Sequence, residues 1–132
     1  MTEYLQQAND ALLTMVQIET QEALDVVEEI ATLVDVVFIG PFDLGNNIGH
    51  PILNGVMEPA LEDAIEKVLT AAKKAGSKCG IFCSSGEQAK KYAEMGFDMI
   101  NVATDITALE FVTKEALSIA KGTAAPEKGK GY

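Results

Sequence analysis

Residues 34–40 of this chain read VDVVFIG, a run that is almost entirely apolar and β-branched and that ends at Gly40-Pro41. A strand of this composition is expected where both faces of a sheet are covered, as they are in a parallel sheet packed between layers. Three further segments predict strands by their apolar or alternating pattern. They are residues 12–19 (LLTMVQIE), 78–84 (KCGIFCS) and 98–103 (DMINVA).

A helical pattern follows each predicted strand. Such alternation indicates parallel strands joined by helices, here four β-α units in an α/β fold. Two architectures suit that order: half of a TIM-type β/α barrel, with the strands in the order 1-2-3-4, or a small doubly wound sheet whose strand order changes inside the sheet. Periodicity does not choose between them. The predicted helices cover residues 2–9, 20–32, 59–75 and 85–95, with a last helix that Asp105 caps.

The remaining segments give the domain limits and the details of the helices. One domain is expected over residues 1–122, followed by a small and polar tail, 123–132, that is predicted to be disordered. Residues 41–57 have no clear period, and loops of more than about 12 residues are often functional. Ser85 and Gln88 are predicted to form a reciprocal capping box. The last helix is expected to bury a stripe of Ala108, Leu109, Val112, Leu117 and Ile119.

Composition excludes several classes of partner. The 132 residues include 20 acidic side chains against 10 lysines and no arginine, so the formal net charge is -10. A surface of that sign repels phosphates, which argues against a nucleic-acid partner. No apolar run approaches the roughly 20 residues that cross a bilayer, and no secretory signal is visible, so a cytoplasmic location is expected. Cys79 and Cys83 are expected to be buried free thiols, because their spacing along one strand prevents a disulfide.

Two acidic residues stand where the first two predicted strands end. Glu19 closes the first strand, and Asp43 lies three residues after the second. Ligands of parallel β/α proteins bind at the carboxyl ends of the strands, where two carboxylates from neighbouring strands can converge on a hard cation such as Mg²⁺ or Mn²⁺, with Co²⁺ as a further possibility. The alternative is structural: Glu19 as an acid favoured at a helix start, and Asp43 as a turn cap. The pattern alone leaves both readings open.

Three segments resemble the HpcH/HpaI aldolases, a branch of the phosphoenolpyruvate/pyruvate-binding barrel superfamily. They are VQIET at 16–20, VFIGPFDLG at 37–45 and GIFCSSGEQAKKYAEMGFDMINVATD at 80–105, in the family's order. The resemblance extends over residues 4–121 and implies the carboxyl-terminal half of a TIM-type barrel.

The resemblance also implies a function. It implies a metal-dependent class II aldolase that cleaves 4-hydroxy-2-oxo acids into pyruvate, or a close relative, and an aldehyde. Glu19 and Asp43 would be the metal ligands, and Gln17 would point into the substrate pocket from the face that it shares with Glu19. The backbone N–H groups of Phe42 and Asp43 would hold the substrate carboxylate, although the side chain of Phe42 is larger than is usual in the family.

The same resemblance leaves part of the catalytic apparatus unmatched. The family's general-base histidine and its substrate-holding arginine come from the first half of the barrel, and nothing in this chain matches them. His50, in the segment after the second strand, is either a base or a solvated loop residue. A catalytically inactive half-barrel or binding module that keeps metal and 2-oxo-acid affinity is therefore the rival hypothesis. Unpaired strand edges and an open inner face also predict a homo-oligomer.

Overall fold

The computed structural model of the chain describes residues 2–123 and contains one four-stranded sheet with helices packed against one of its faces. The strands are β1 (Met15–Ile18), β2 (Val36–Ile39), β3 (Lys78–Phe82) and β4 (Met99–Asn101). The helices are α1 (Thr2–Ala11), α2 (Gln21–Asp25), α3 (Val27–Ala31), α4 (Pro41–Asn47), α5 (Pro59–Ala75), α6 (Gly86–Met95) and α7 (Asp105–Ala120). Apart from Thr123, the predicted tail lies outside the described residues.

The strand order decides between the two predicted architectures. All three strand pairs are parallel, and the order is β1-β2-β3-β4, as a half-barrel requires. The prediction of a (βα)₄ half-barrel is confirmed, and the doubly wound alternative is wrong because the order has no interior switch.

The core lies on the helix side of the sheet. Ile18, Ile39 and Ile81 are neighbours in the register and are fully buried. The helix α5 packs over them with a face that repeats every three or four residues. Its most deeply buried side chains are Leu61, Ile65, Val68 and Ala72.

The opposite face of the sheet is open among the described residues. Gln17, Phe38, Gly80 and Met99 form one row across the four strands on this face. Met15 and Met99 are 43% and 40% exposed, and Phe82 is 39% exposed. In a closed β/α barrel such positions fill the interior. We refer to the face that carries this row as the inner face.

Most helix ends follow the sequence signals. Pro59 begins α5, and Gly76, with a left-handed φ of 80°, ends it, as predicted. At the start of α6 the hydroxyl of Ser85 accepts a hydrogen bond from the N–H of Gln88 at 3.2 Å. The reciprocal half of the predicted capping box is wrong by one residue, because Gln88 Oε1 accepts from the N–H of Ser84 rather than from Ser85.

Two helix predictions are wrong in detail. The segment 20–32 is broken at Val26 into α2 and α3, within Asp25-Val26-Val27, a run of residues with modest helix propensity. The capping residue of α7 is Thr104, which shares a capping box with Thr107, rather than Asp105. The predicted stripe of Ala108, Leu109, Val112, Leu117 and Ile119 is not buried, because the sheet ends at β4 within the described residues.

The segment 41–57 is more regular than its sequence indicates. Its first part forms α4, which begins at Pro41 in the favourable first helical position. Seven residues are too few for a helical period to be recognised. Further on, Asn54 and Gly55 both adopt positive φ, and a β-bridge joins the residues on either side of them, Leu53 and Val56.

The two cysteines are free and buried, as predicted. Burial raises the pKa of the Cys79 thiol to about 12, with a smaller contribution from the negative charge of Asp98. Burial also raises the pKa of Cys83. Both side chains are therefore neutral thiols at neutral pH. Within residues 2–123, none of the helices combines the length and the apolar character that a membrane span requires.

The packing around α4 predicts the effect of a substitution at Gly45. A Cβ added there would stand 2.7 Å from the backbone oxygen of His50 and 2.9 Å from Leu61 Cδ2. We therefore expect Gly45→Ala to lower the free energy of unfolding by about 1–3 kcal/mol, although alanine is the better helix former. Urea denaturation would measure the change.

The matched control for this prediction is Gly86→Ala. Gly86 also lies in a helix, but an added Cβ would meet no atom within 4 Å. Its substitution should leave stability unchanged or raise it by a few tenths of a kcal/mol. Equal changes in the free energy of unfolding for the two substitutions would show that crowding around Gly45 does not lower stability.

Candidate active site

Glu19 and Asp43 lie at the carboxyl edge of the sheet. Glu19 follows the last residue of β1, and Asp43 lies in the first turn of α4, directly after β2. The two residues line one open cavity of about 510 Å³, together with Thr20, Asn46 and Asn47. The parallel pairing of β1 with β2 produces this proximity, because it brings the ends of both strands to the same edge.

A second, smaller cavity adjoins the first at Asp43. Its volume is about 230 Å³, and it contains all three residues that the resemblance assigns to substrate binding. The side chain of Phe42 forms an exposed wall of this cavity and is 62% exposed. The lining residues are Gln17, Phe38, Gly40, Pro41, Phe42, Asp43 and Phe82.

Gly40 permits a close approach of Gln17 to Asp43. The position that a Cβ would occupy at Gly40 lies 2.5 Å from Gln17 Nε2 and 3.5 Å from Asp43 Oδ2. Any side chain at residue 40 would therefore displace the Gln17 amide. The glycine leaves the end of β2 open, so that an amide from β1 and a carboxylate from α4 reach the same small volume.

The first turn of α4 presents backbone donors at this edge. Its N-cap is Gly40, which has no side chain to accept from the helix, and Pro41 has no N–H group. The N–H groups of Phe42 and Asp43 lie in the first turn, where no intrahelical acceptor is available. The side-chain amide of Asn46 donates to the backbone oxygen of Phe42 at 2.8 Å. This carbonyl belongs to the same peptide unit as the N–H of Asp43, so the bond helps to fix that N–H group.

The sequence interpretation missed the residues around the acids. Asn46 and Asn47 line the larger cavity because they lie three and four residues after Asp43 on α4. The backbone N–H of Gln21, the first residue of α2, donates to Asn47 Oδ1 at 2.7 Å. Helical spacing from Asp43 is the one sequence signal for these contacts. It could not be used because residues 41–57 show no clear helical period.

The side-chain oxygens at this edge suit a hard divalent cation. Carboxylate and amide oxygens are ligands that Mg²⁺ and Mn²⁺ accept. Within residues 2–123 there is no cluster of three or more His, Cys, Asp or Glu side chains that could enclose a metal. Glu19 and Asp43 would therefore leave most coordination positions to water and to oxygens of a bound molecule, as in an open site.

His50 does not reach either cavity. Its Nδ1 atom lies 2.8 Å from Glu58 Oε2, and its side chain is part of the lining of neither space. A third cavity of about 260 Å³ extends past Phe42 and Phe82 along an apolar wall that includes Ile52 and Met57. A more voluminous hollow, of about 600 Å³, lies between α3 and α5, away from the strand ends where ligands of this fold bind.

Fold and site together define half of a β/α barrel with a pair of acids beyond its first two strands. A family model described as HpcH/HpaI aldolase/citrate lyase matches residues 1–110. The chain belongs to the HpcH/HpaI aldolase/citrate lyase family, as its sequence motifs indicated.

Named relatives and solved structures place the chain beside aldolases. It is 37% identical over 120 residues to a hydroxypyruvate/pyruvate aldolase of Rhizorhabdus wittichii, covering 89% of this chain and 48% of the relative. It is 39% identical over 109 residues to a 4-hydroxy-2-oxo-heptane-1,7-dioate aldolase of Klebsiella pneumoniae, covering 81% and 40%. The crystal structure of an HpcH/HpaI aldolase/citrate lyase family protein from Burkholderia cenocepacia matches with a TM-score of 0.81 and 38% identity, covering 90% of this chain and 46% of that one. The chain thus spans about half the length of these relatives.

Proposed function

We propose that this chain carries the cation-binding half of a metal-dependent aldolase site. The reaction would be the reversible cleavage of a 4-hydroxy-2-oxo acid into pyruvate, or a close relative, and an aldehyde. The observation that supports it most directly is the single cavity that Glu19 and Asp43 share at the carboxyl ends of neighbouring parallel strands. The names of the relatives, which are aldolases for pyruvate, hydroxypyruvate and a 4-hydroxy-2-oxo acid, point to the same reaction class.

The residues around the cavity suit this chemistry. A bound Mg²⁺, Mn²⁺ or Co²⁺ would supply Lewis-acid polarisation of the 2-oxo carbonyl, which lowers the pKa of the adjacent C–H bond. Glu19 and Asp43 would supply the negative charge that retains the cation. The first-turn N–H groups of Phe42 and Asp43 would bind the substrate carboxylate, and the amide of Gln17 would orient the 2-oxo acid from the neighbouring strand.

The aromatic side chains would limit access of water. Phe42, Phe38 and Phe82 line the smaller cavity beside Gln17 and Asp43. Electrostatic interactions strengthen when water is excluded from a site, so this wall would favour the polarised form of the substrate once another half-barrel covers it. The exposed position of Phe42 leaves room for a covering element from another half-barrel.

A proton acceptor is not provided by the cavities themselves. The sequence has no arginine and a single histidine, and that histidine contacts Glu58 outside both cavities. Since the relatives are about twice as long, a binding module that retains cation and 2-oxo-acid affinity without turnover is the second candidate. In that case a separate half-barrel would provide the base and the arginine.

The assembly of the half-barrel is part of the proposal. Among residues 2–123, both outer strands, β1 and β4, have a partner on one side only, and the inner face has exposed apolar side chains. Such edges and faces favour association. We infer that the chain forms a homo-oligomer in which inner faces meet, as two halves closing a 4+4 barrel would.

Exchange of the pyruvate methyl protons for deuterium tests the enzyme proposal. With Mg²⁺ in D₂O, we expect the wild-type chain to accelerate this exchange, since the polarised carbonyl makes the methyl C–H bonds acidic enough for deuteroxide from the solvent to take the proton and for D₂O to return a deuteron. Asp43→Asn, which removes one carboxylate at constant size, should reduce the acceleration at least tenfold. Proton NMR would follow the loss of the methyl signal.

The control is Asp63→Asn, at an exposed acid of α5 that lines neither cavity. It should exchange at the wild-type rate. If pyruvate binds the Mg²⁺-loaded chain without exchange, the binding-module alternative holds instead. Absence of both binding and exchange would contradict the two candidate functions together.

A further inference from the structure

One hydrogen bond joins the two segments that carry the acids. The N–H of Gln21 donates to Asn47 Oδ1 at 2.7 Å, although the two residues are 26 positions apart in sequence. Gln21 begins α2 two residues after Glu19, and Asn47 ends α4 four residues after Asp43. We infer that Asn47 is a positioning residue that sets the separation of Glu19 and Asp43 for a divalent cation.

The helical geometry of α4 supports this role. Residues four apart lie on the same side of a helix, one turn from each other, so Asp43 and Asn47 face the same region. Both side chains line the larger cavity with Glu19. The Asn47 side chain therefore reaches across the cavity edge to the segment of Glu19, while Asp43, one turn earlier, remains directed at the cavity.

The proposed cation site requires that Glu19 and Asp43 be held in place. The described residues provide no third acid, histidine or cysteine in a metal-binding cluster, so a cation would depend on Glu19 and Asp43 for its negatively charged ligands. A site with few protein ligands depends on having those ligands already in place, because ordering them costs binding free energy. Partners that orient metal ligands typically change metal affinity by about 10- to 100-fold when they are removed.

A purely structural reading of this bond makes a different prediction. The N–H of Gln21 is a first-turn donor of α2 and needs an acceptor for the stability of that helix. Thr20 already caps α2 by accepting from the N–H of Ala23 at 3.2 Å. If Asn47 served only as an additional cap, its removal would lower the melting temperature without cation and leave Mn²⁺ affinity unchanged.

The inference rests on the proposed function, since it takes the cation to bind at Glu19 and Asp43. Its test uses the full chain and Mn²⁺ alone, with free Mn²⁺ measured by electron paramagnetic resonance. Asn47→Leu keeps the approximate size and removes the acceptor, so the dissociation constant should rise roughly tenfold. Asn47→Asp keeps an acceptor oxygen and should retain the affinity.

Substitutions at Asn46 are the matched controls. Asn46 lines the same cavity but bonds to Phe42 of its own helix, not to α2. Asn46→Leu removes a cavity-lining amide but leaves the bond between Gln21 and Asn47 intact, so it should weaken Mn²⁺ binding less than Asn47→Leu does. Asn46→Asp reports the effect of an added charge, against which Asn47→Asp is compared. Wild-type affinity of Asn47→Leu, or equal weakening of Asn47→Leu and Asn47→Asp, would overturn the inference alone. A wild-type chain that binds no Mn²⁺ would overturn the proposed function as well.

Discussion

Glu19→Ala and Asp43→Ala should each abolish the thermal stabilisation that Mn²⁺ or Mg²⁺ confers on the wild-type chain. A ligand that binds only the folded state stabilises it by about 2.7 kcal/mol when its concentration is 100 times the dissociation constant. The two acids line one cavity, so removal of either leaves a single carboxylate for the cation. Differential scanning calorimetry with and without the cation would measure the response.

The stability of these variants without cation separates a ligand role from a folding role. Both acids line an open cavity and neither belongs to the buried core, so each substitution should leave the cation-free melting temperature nearly unchanged. Glu22→Ala, at an exposed acid in the first turn of α2, is the control and should keep the full response. A persistent response in Glu19→Ala would place the cation elsewhere and remove the chemical basis of the aldolase proposal.

Much of the fold could be predicted because local signals agree with the tertiary structure. The run 34–40 contains the buried strand β2 (Val36–Ile39), and Pro59 and Gly76 delimit α5 where they were expected. Strand order could not be predicted from periodicity, because a half-barrel and a doubly wound sheet share the same alternation of elements. The resemblance of three motifs favoured the half-barrel before the structure confirmed it.

The candidate site was predictable only in part, for a physical reason. Glu19 and Asp43 follow strands directly, so parallel pairing alone is enough to bring them to one edge. The contact between Gln21 and Asn47 depends on α4. This helix has only seven residues, one of them a proline and one a glycine, so its sequence shows no helical period. The roles of Gln17, Phe42, Asp43 and Glu19 toward metal and substrate remain predictions, and the experiments above test those of Glu19 and Asp43.

The open inner face predicts the second large effect, which is self-association. Met15 and Met99 lie on the two outer strands, and Phe82 lies between them on the same face, all with substantial exposure. None of the residues of α7 is buried either. Because unpaired edges and apolar patches of this kind seek partners, we expect an assembly of at least twice the 14.1 kDa chain mass. Light scattering coupled to size-exclusion chromatography would measure it.

Charges placed on the inner face should dissociate this assembly. In the double variant Met15→Glu, Met99→Glu, association would bury carboxylates without partners, which costs several kcal/mol and weakens the complex roughly hundredfold or more. The control Leu33→Glu adds a charge at a side chain that is 80% exposed and lies beyond the end of α3, and it should associate as the wild type does. A wild-type chain that stays monomeric at high concentration would contradict the homo-oligomer, and the open face would then await a different half-barrel. Association that survives the two glutamates but not a charge on α7 would move the interface from the inner face to that helix.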